Sequence, residues 1–230
     1  MRLHFVVEGQ TEETFVRDML AAELGANAVY CDVHRITTGR RKGKVFRGGM
    51  VSYQHLRNDL ALWMKQDDAR DSWFTTMIDL YRLPSEFPGL AESKRFASAF
   101  DRVKFVEAQF QEDISYPRFI PYVQLHEFEA LLFADPECFQ VAFPGINTEL
   151  TALRAVRGQF QTPELIDDDC PPSKRICEIV PQYGKVSSGP LIANHIGLPT
   201  LRRECQHFGD WITTLLSVAG ANQATNETPG

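Results

Sequence analysis

Short apolar runs alternate with amphipathic stretches over the first part of the chain. Runs rich in β-branched and aromatic residues predict strands at 3–7, 29–36, 73–80 and 119–125. Helical spacing of apolar residues predicts helices at 11–24, 51–66 and 92–114, with the first turns of another at 128–133. Thr11 is the expected N-cap of the first helix. This β-α-β-α-β-α-β-α order favours an α/β fold with a mostly parallel sheet flanked by helices.

The strand pattern fades in the second part of the chain, beyond Pro136. Short helical candidates follow at 148–157, 173–179, 187–196, 201–207 and 210–218. We therefore expect an α/β domain at 1–135 and a helical extension packed on it at 136–219. The polar segment 220–230 is expected to be a disordered tail.

The bulk composition restricts the class of protein. The first apolar run ends at Glu8 after a few residues, which is too short for a signal peptide. No window approaches the ~20 apolar residues that span a bilayer, so we expect a cytoplasmic chain without membrane contact. The cysteines are scattered without a C-x-x-C pair, which argues against a zinc site.

The charge distribution is uneven along the chain. The net charge of −6 argues against a simple nucleic-acid-binding module, which is usually basic. A glycine-rich segment predicted to be a loop, 37–49, nevertheless concentrates five cations. Such a segment suits a phosphate backbone, although a solvated loop is an equally ordinary interpretation. The five candidate nucleic-acid-binding residues are Arg40, Arg41, Lys42, Lys44 and Arg47.

Three acidic residues stand at or just after predicted strand ends. Glu8 follows the first strand, Asp79 closes the third, and Glu129 comes just after the fourth. Open α/β sheets bind ligands beyond the carboxyl ends of their strands, so these carboxylates are expected to converge. Clustered carboxylates repel one another unless a cation joins them, and Mg²⁺ or Mn²⁺ prefers such oxygen ligands. A bound ion of this kind can activate water against a phosphodiester.

Each of these residues also has an ordinary structural explanation. Glu8 suits a loop beside a helix N-terminus, and Asp79 suits the cap of a turn. Glu12 lies one helical turn beyond Glu8, and Glu127 lies two residues before Glu129. Both are further candidate metal ligands, and both equally suit the first turn of a helix.

The segment VVEGQTEE is more specific than an isolated glutamate. A strand, then Glu-Gly, then a helix start is similar to the first signature of the Toprim fold. The second Toprim signature is Asp-x-Asp, whereas this chain has Asp79-Leu80-Tyr81. The replacement of the second aspartate by Tyr81 puts full two-metal coordination in doubt.

A closer resemblance covers nearly the whole chain. The segments VVEGQTEETFV, TMIDLYRLPSEFPG, FIPYVQLHEFEALLF, IVPQYGKVSSGPLIANHIGL and CQHFGDW resemble a bacterial family, the domain of unknown function 4276. That family is Toprim-like and is related to the OLD-family nucleases. The resemblance implies a Toprim-like sheet and a setting beside ATPases in defence against phage.

The resemblance also implies roles for individual residues. Glu8 would be the Toprim glutamate and Asp79 the main metal ligand of the second signature. Glu129 would complete the acidic site from a Phe-Glu element at a helix start. Lys185, in Tyr183-Gly184-Lys185, would stabilise negative charge on a phosphorane or leaving oxygen.

These observations leave more than one function open. The first is a Mg²⁺- or Mn²⁺-dependent nuclease acting on DNA or RNA, working with an ATPase partner. The second is a non-catalytic Toprim-like sensor or adaptor that binds the ATPase, which Tyr81 favours. A small-molecule phosphatase is a third, and a deep narrow pocket would favour it.

Overall fold

A computed structural model describes residues 1–41, 44–47, 52–166 and 170–226, with the backbone alone at 37–47 and 222–226. Its strands are β1 (Arg2–Val7), β2 (Tyr30–Arg35), β3 (Thr37–Arg41), β4 (Lys44–Arg47), β5 (Ser72–Asp79), β6 (Phe119–Ile120) and β7 (Val123–Gln124). Its α-helices are α1 (Gln10–Phe15), α2 (Ala21–Gly25), α3 (Tyr53–Gln66), α4 (Leu90–Ser93), α5 (Ala99–Ile114), α6 (Asn147–Arg157), α7 (Pro172–Ile179), α8 (Lys185–Ile196), α9 (Leu198–Glu204) and α10 (Gln206–Asn226).

A parallel sheet forms the centre of the fold. Its strands run in the order β2-β1-β5-β6, and β7 pairs with the far end of β5. Val7 at the end of β1 is in register with Met77 near the end of β5. Because the strands are parallel, the residues that follow β1 and those that end β5 lie at the same edge. The predicted α/β class, with helices around a mostly parallel sheet, is confirmed.

Several element boundaries differ from the prediction. The strand expected at 119–125 is divided into β6 and β7, because Pro121 has no N–H to donate to the ladder. The helix expected at 92–114 begins only at Ala99, where the Ser98 hydroxyl accepts from the backbone N–H of Asp101 at 3.3 Å. The helical turns expected at 128–133 form a 3-10 helix, Phe128–Ala134.

The start of the first helix was also misplaced. The helix begins at Gln10, one residue before the expected cap Thr11, and Gly9 occupies the cap position. The helical path then continues from α1 through a π-helical turn, Val16–Leu20, into α2. Instead of a threonine cap, the carboxylate of Glu12, at the third helical position, accepts from the backbone N–H of Gly9.

Two segments expected to be irregular contain regular structure. The segment 37–49 was predicted to be a loop, but β3 and β4 pair antiparallel within it. The segment 220–230 was expected to be disordered, whereas α10 continues to Asn226. Residues 220–226 include two alanines and no proline, so they can extend a helix whose earlier turns are packed. Residues 227–230 lie outside the described part of the chain.

The sheet has a hydrophobic cluster on each face. Val6, Phe74 and Ile78 point to one face, where they pack with α3 and α5. Leu3, Phe5 and Val7 point to the other face, in a cluster that also contains side chains of the C-terminal helices such as Phe208 and Leu215. Part of the predicted extension, 136–219, therefore shares a core with the sheet.

Trp211 anchors the last helix to the sheet. Its ring stacks on Tyr122 with centroids 4.1 Å apart. Its indole N–H donates to the hydroxyl of Thr75, on β5, at 2.9 Å. Together these contacts hold α10 against the central strand. Among the helices of the described residues, none is long and apolar enough to cross a membrane.

Helix α8 approaches α1 closely at Gly189. A Cβ at this position would lie 2.9 Å from the hydroxyl oxygen of Tyr183 and 3.5 Å from Cγ2 of Thr11. The first distance is too short for a real Cβ contact, so a larger residue must displace Tyr183. The glycine therefore leaves room for the Tyr183 hydroxyl beside α8.

We expect Gly189→Ala to destabilise the protein by about 1–3 kcal/mol, because the added methyl overpacks this contact. Urea unfolding followed by circular dichroism measures the change. Gly220→Ala is a matched control within α10, because a Cβ there meets no atom within 4 Å among the described residues. It should stabilise the protein by up to about 1 kcal/mol. Equal effects of the two substitutions would contradict the close packing of α8 on α1.

Candidate functional site

The sheet brings Glu8 and Asp79 together at its carboxyl edge. The backbone N–H of Glu8 donates to the carbonyl of Met77 at 3.2 Å, so the ladder between β1 and β5 continues to this residue. The backbone N–H of Asp79 in turn donates to the Glu8 carboxylate at 3.2 Å. The parallel register therefore explains why Glu8 and Asp79 lie close together.

The segment after β7 turns back towards Asp79. His126 has a φ of 63°, a left-handed conformation that costs a non-glycine residue about 1 kcal/mol or more. Its carbonyl accepts from the backbone N–H of Tyr81 at 3.1 Å. Asp79 Oδ1 accepts from the backbone N–H of Phe128 at 3.0 Å. These contacts direct the first turn of the 3-10 helix, with its acidic residues, to the strand end.

Glu127 and Glu129 lie almost wholly inside the protein, with 3% and 1% of their surface exposed. Glu127 Oε2 accepts from the backbone N–H of Ser173, in the first turn of α7, at 3.0 Å. Glu129 Oε1 accepts from the Tyr183 hydroxyl at 3.3 Å. Both carboxylates are therefore held by residues of the C-terminal helical region.

Glu12 joins the cluster from the first turn of α1. Its Oε2 accepts from the backbone N–H of Gly9 at 2.9 Å, and only 7% of the residue is exposed. The contact caps the helix and also fixes the carboxylate near those of Glu8 and Glu129, whose charges act on it. Glu12 therefore occupies a favourable first-turn position and also belongs to the acidic cluster.

Lys185 is the cation of the site. Its Nζ lies 3.1 Å from Glu129 Oε2 and 3.7 Å from Glu127 Oε1. About half of the side chain, 48%, remains exposed, so the ammonium group stands between the buried carboxylates and solvent. Burial works against its charge, but attraction to Glu129 and Glu127 outweighs this and raises the pKa of Lys185.

The carboxylates change one another's protonation. Burial, with the charges of Glu8 and Glu129, raises the pKa of Glu12 to about 7. Burial and the charges of Glu8 and Glu12 raise the pKa of Asp79 well above its usual range. Burial also raises the pKa of Glu129, although Lys185 opposes that change. Burial and the neighbouring negative charges therefore both disfavour the ionised carboxylates, and Lys185 does not fully offset these effects.

The cluster contains the kind of donors that a hard divalent cation binds. Carboxylate oxygens are the ligands that Mg²⁺ and Mn²⁺ prefer, and a divalent charge would relieve the repulsion at Asp79 and Glu12. Glu8, Asp79 and Glu129 would hold such an ion, with Glu12 and Glu127 beside them. Over residues 1–41, 44–47, 52–166 and 170–226, no three such side chains are already arranged around a common point. Binding would therefore require the carboxylates to exchange their backbone contacts for the ion.

Four of the five residues predicted to bind nucleic acid lie on the β3–β4 hairpin, which follows β2 along the chain. Arg40 and Arg41 end β3, and Lys44 and Arg47 bound β4. Lys42 lies outside the described residues. The hairpin places these positions on one antiparallel ribbon.

Sequence reasoning missed the contact between Ser173 and Glu127. The only signal for it is a Pro-Pro-Ser helix start at 171–173, which leaves N–H groups without a helical partner in the first turn of α7. These N–H groups can donate to any nearby carboxylate, so the pairing with Glu127 depends on the tertiary fold.

We expect the metal-free protein to lose stability as the pH rises from about 4.5 to about 7. In that range the folded chain keeps a proton on Glu12 that the unfolded chain has released, so the free energy of unfolding falls with pH. Glu12→Gln keeps an oxygen acceptor for Gly9 and removes the titration. The difference in free energy of unfolding, variant minus natural protein, should rise by up to about 3 kcal/mol between pH 5 and pH 8.

Urea unfolding in EDTA at both pH values measures this difference. Glu13→Gln is the matched control, because Glu13 pairs with Arg35 at 2.9 Å rather than with the acidic cluster. The control should keep the pH dependence of the natural protein. A Glu12→Gln variant with the same dependence would show that Glu12 does not carry the repulsion.

Two solved structures of one bacterial protein region are similar to this chain along most of its length. The C-terminal region of the Xanthomonas campestris pv. campestris OLD protein, phased with platinum, is 15% identical, with a TM-score of 0.41 and 97% of each chain covered. A second structure of that region, phased with mercury, is 14% identical, with a TM-score of 0.40, covering 92% of this chain and 96% of that one.

Among curated proteins, no significant relative was found. The profile of a family described as a domain of unknown function, DUF4276, matches residues 7–216, which is most of the chain. The protein therefore belongs to the DUF4276 family.

Proposed function

We propose that this protein is a metal-dependent nuclease with a Toprim-type acidic site, which hydrolyses phosphodiester bonds in DNA or RNA. The observation that carries the proposal is the burial of Asp79 at the carboxyl edge of the parallel sheet, close enough to Glu8 and Glu129 for their charges to act on it. The three residues come from separate segments, and burial together with these neighbouring charges raises the pKa of Asp79. Burying such a cluster is unfavourable unless a metal ion or a cationic side chain balances its negative charge.

Mg²⁺ or Mn²⁺, when bound, would supply an activated water and stabilise the leaving oxygen. The residues of the chain position the ion and the phosphate. Asp79 is oriented by its contact with the Phe128 N–H, and Glu8 by its contact with the Asp79 N–H. Lys185, half exposed beside Glu129, is placed to meet the negative charge of a phosphate that enters from solvent.

The substrate class follows from the charges outside the acidic site. Arg40, Arg41, Lys44 and Arg47 lie along the β3–β4 hairpin, and such a ribbon suits contact with successive phosphates. Both DNA and RNA present this backbone. The proposal therefore names a nucleic acid and leaves the choice between the two polymers to the cleavage assay.

A second candidate function is a non-catalytic sensor or adaptor that keeps the Toprim-like shell. Its support is the position of Lys185, whose ammonium group pairs with both Glu129 and Glu127. Tyr81 in place of a second aspartate also favours it. The ATPase partner and the setting in phage defence rest on the family resemblance alone and stay predictions.

We expect the purified chain to cleave single- or double-stranded DNA, or RNA, in Mg²⁺ or Mn²⁺ and not in EDTA. Glu8→Gln and Asp79→Asn should each lower the rate by about 100-fold or more, because each removes a charged ligand of the ion. The amide introduced by Asp79→Asn keeps an oxygen for the Phe128 N–H, so the fold is preserved. Electrophoresis of labelled substrates measures the rates.

The Glu13→Gln variant is the control here, since its carboxylate pairs with Arg35. It should cleave like the natural chain. Cleavage that survives both Glu8→Gln and Asp79→Asn would come from another site or a contaminant, and would contradict the proposal. Absence of cleavage with every polymer and both metals would favour the adaptor function.

A further inference from the structure

A cavity of about 440 Å³ is lined in part by the segment that follows β5. Leu80 and Tyr81, the two residues after Asp79, form part of its wall. Two Cα–Cα steps of about 3.8 Å put the Tyr81 Cα within roughly 8 Å of the Asp79 Cα. The cavity is therefore within reach of a ligand bound at the carboxylates.

The walls of this cavity combine an apolar part with cations. Leu80, Leu83 and Leu90 supply aliphatic surface, and Ser85 supplies a hydroxyl. Lys94 and Arg102 are also among the lining residues, whereas none of the described lining residues carries a carboxylate. An apolar slot with a few charged groups is the usual form of a small-ligand site.

Arg102 has unused hydrogen-bonding capacity. One terminal nitrogen donates to the carbonyl of Phe96 at a long 3.5 Å. Its Nε is buried and meets no hydrogen-bond acceptor among the described residues. A buried donor without a partner costs free energy, and a guanidinium that lines a cavity is a binding group for an anionic oxygen.

Tyr81 lines the cavity and is also 40% exposed to solvent. The guanidinium carbon of Arg82 lies 5.8 Å from the centre of its ring, which places a further cation beside this aromatic side chain. An exposed aromatic ring beside cations is the arrangement on which proteins stack bases of single strands.

We infer that this cavity binds one nucleotide of a single-stranded nucleic acid, with the base against Leu80, Leu83 and Tyr81 and a phosphate at Lys94 and Arg102. The inference rests on the proposed nuclease function and names how that site would hold its substrate. A nucleotide anchored there places the neighbouring phosphate at Glu8 and Asp79. The same chemistry would accept a free mononucleotide, so the test separates the two sources.

The test uses fluorescence polarisation of a labelled phosphorothioate thymidine oligonucleotide, in Mg²⁺ and in EDTA, with dTMP as competitor. Lys94→Glu removes a phosphate contact and Leu83→Trp fills the cavity. Each should weaken oligonucleotide binding by about tenfold or more, the factor for one charge-assisted hydrogen bond. Lys65→Glu and Leu62→Trp make the same changes on the exposed surface of α3 and should have little effect.

Loss of oligonucleotide affinity in the two cavity variants alone would support the inference. If only dTMP binding is lost, the cavity takes a free nucleotide and the assignment to a strand is wrong. Equal oligonucleotide binding by the cavity and control variants, or no oligonucleotide binding by the natural chain, would overturn the inference. Cleavage is measured separately, so a chain that cleaves with unchanged oligonucleotide affinity in both variants contradicts this inference and leaves the nuclease proposal intact.

Discussion

The burial of several carboxylates close to one another is the constraint around which this structure is organised. Glu12 has a pKa of about 7 because burial and its acidic neighbours disfavour its charge. The pKa of Asp79 is shifted upwards for the same reasons. A fold tolerates such a cluster only if other groups hold it in place, and here backbone N–H groups and Lys185 do so.

The C-terminal helices are part of the site as well as of the core. Ser173 on α7 holds Glu127, and Tyr183 and Lys185 at the start of α8 hold Glu129. Gly189 leaves room for the Tyr183 hydroxyl that donates to Glu129. The sheet presents the carboxylates, and the helical region supplies the donors and the positive charge that restrain them. This division explains how one hydrophobic cluster can span both parts of the chain.

The sequence predicts the sheet and the acidic positions well, because both depend on local patterns. Strand ends marked by Glu8 and Asp79 follow from apolar runs, and parallel pairing brings such ends together. The position of Glu129 depends on the left-handed turn at His126, and the modest preference of histidine for that conformation does not by itself locate such a turn. The contact between Ser173 and Glu127 joins elements distant in sequence. The sequence also predicts a loop at 37–49, because glycines and cations there outnumber β-forming residues. This prediction is wrong, since β3 and β4 pair within the segment.

Calorimetric titration of Mn²⁺ into the purified chain tests the central claim most directly, because it measures cation binding without requiring a substrate or a partner. The account predicts binding at neutral pH that is lost in Asp79→Asn and kept in Glu13→Gln. Since bound metal displaces protons from the carboxylates, the binding should also weaken as the pH falls towards 5. No heat of binding in the natural chain, or equal binding by Asp79→Asn, would contradict the claim that these carboxylates form a cation site.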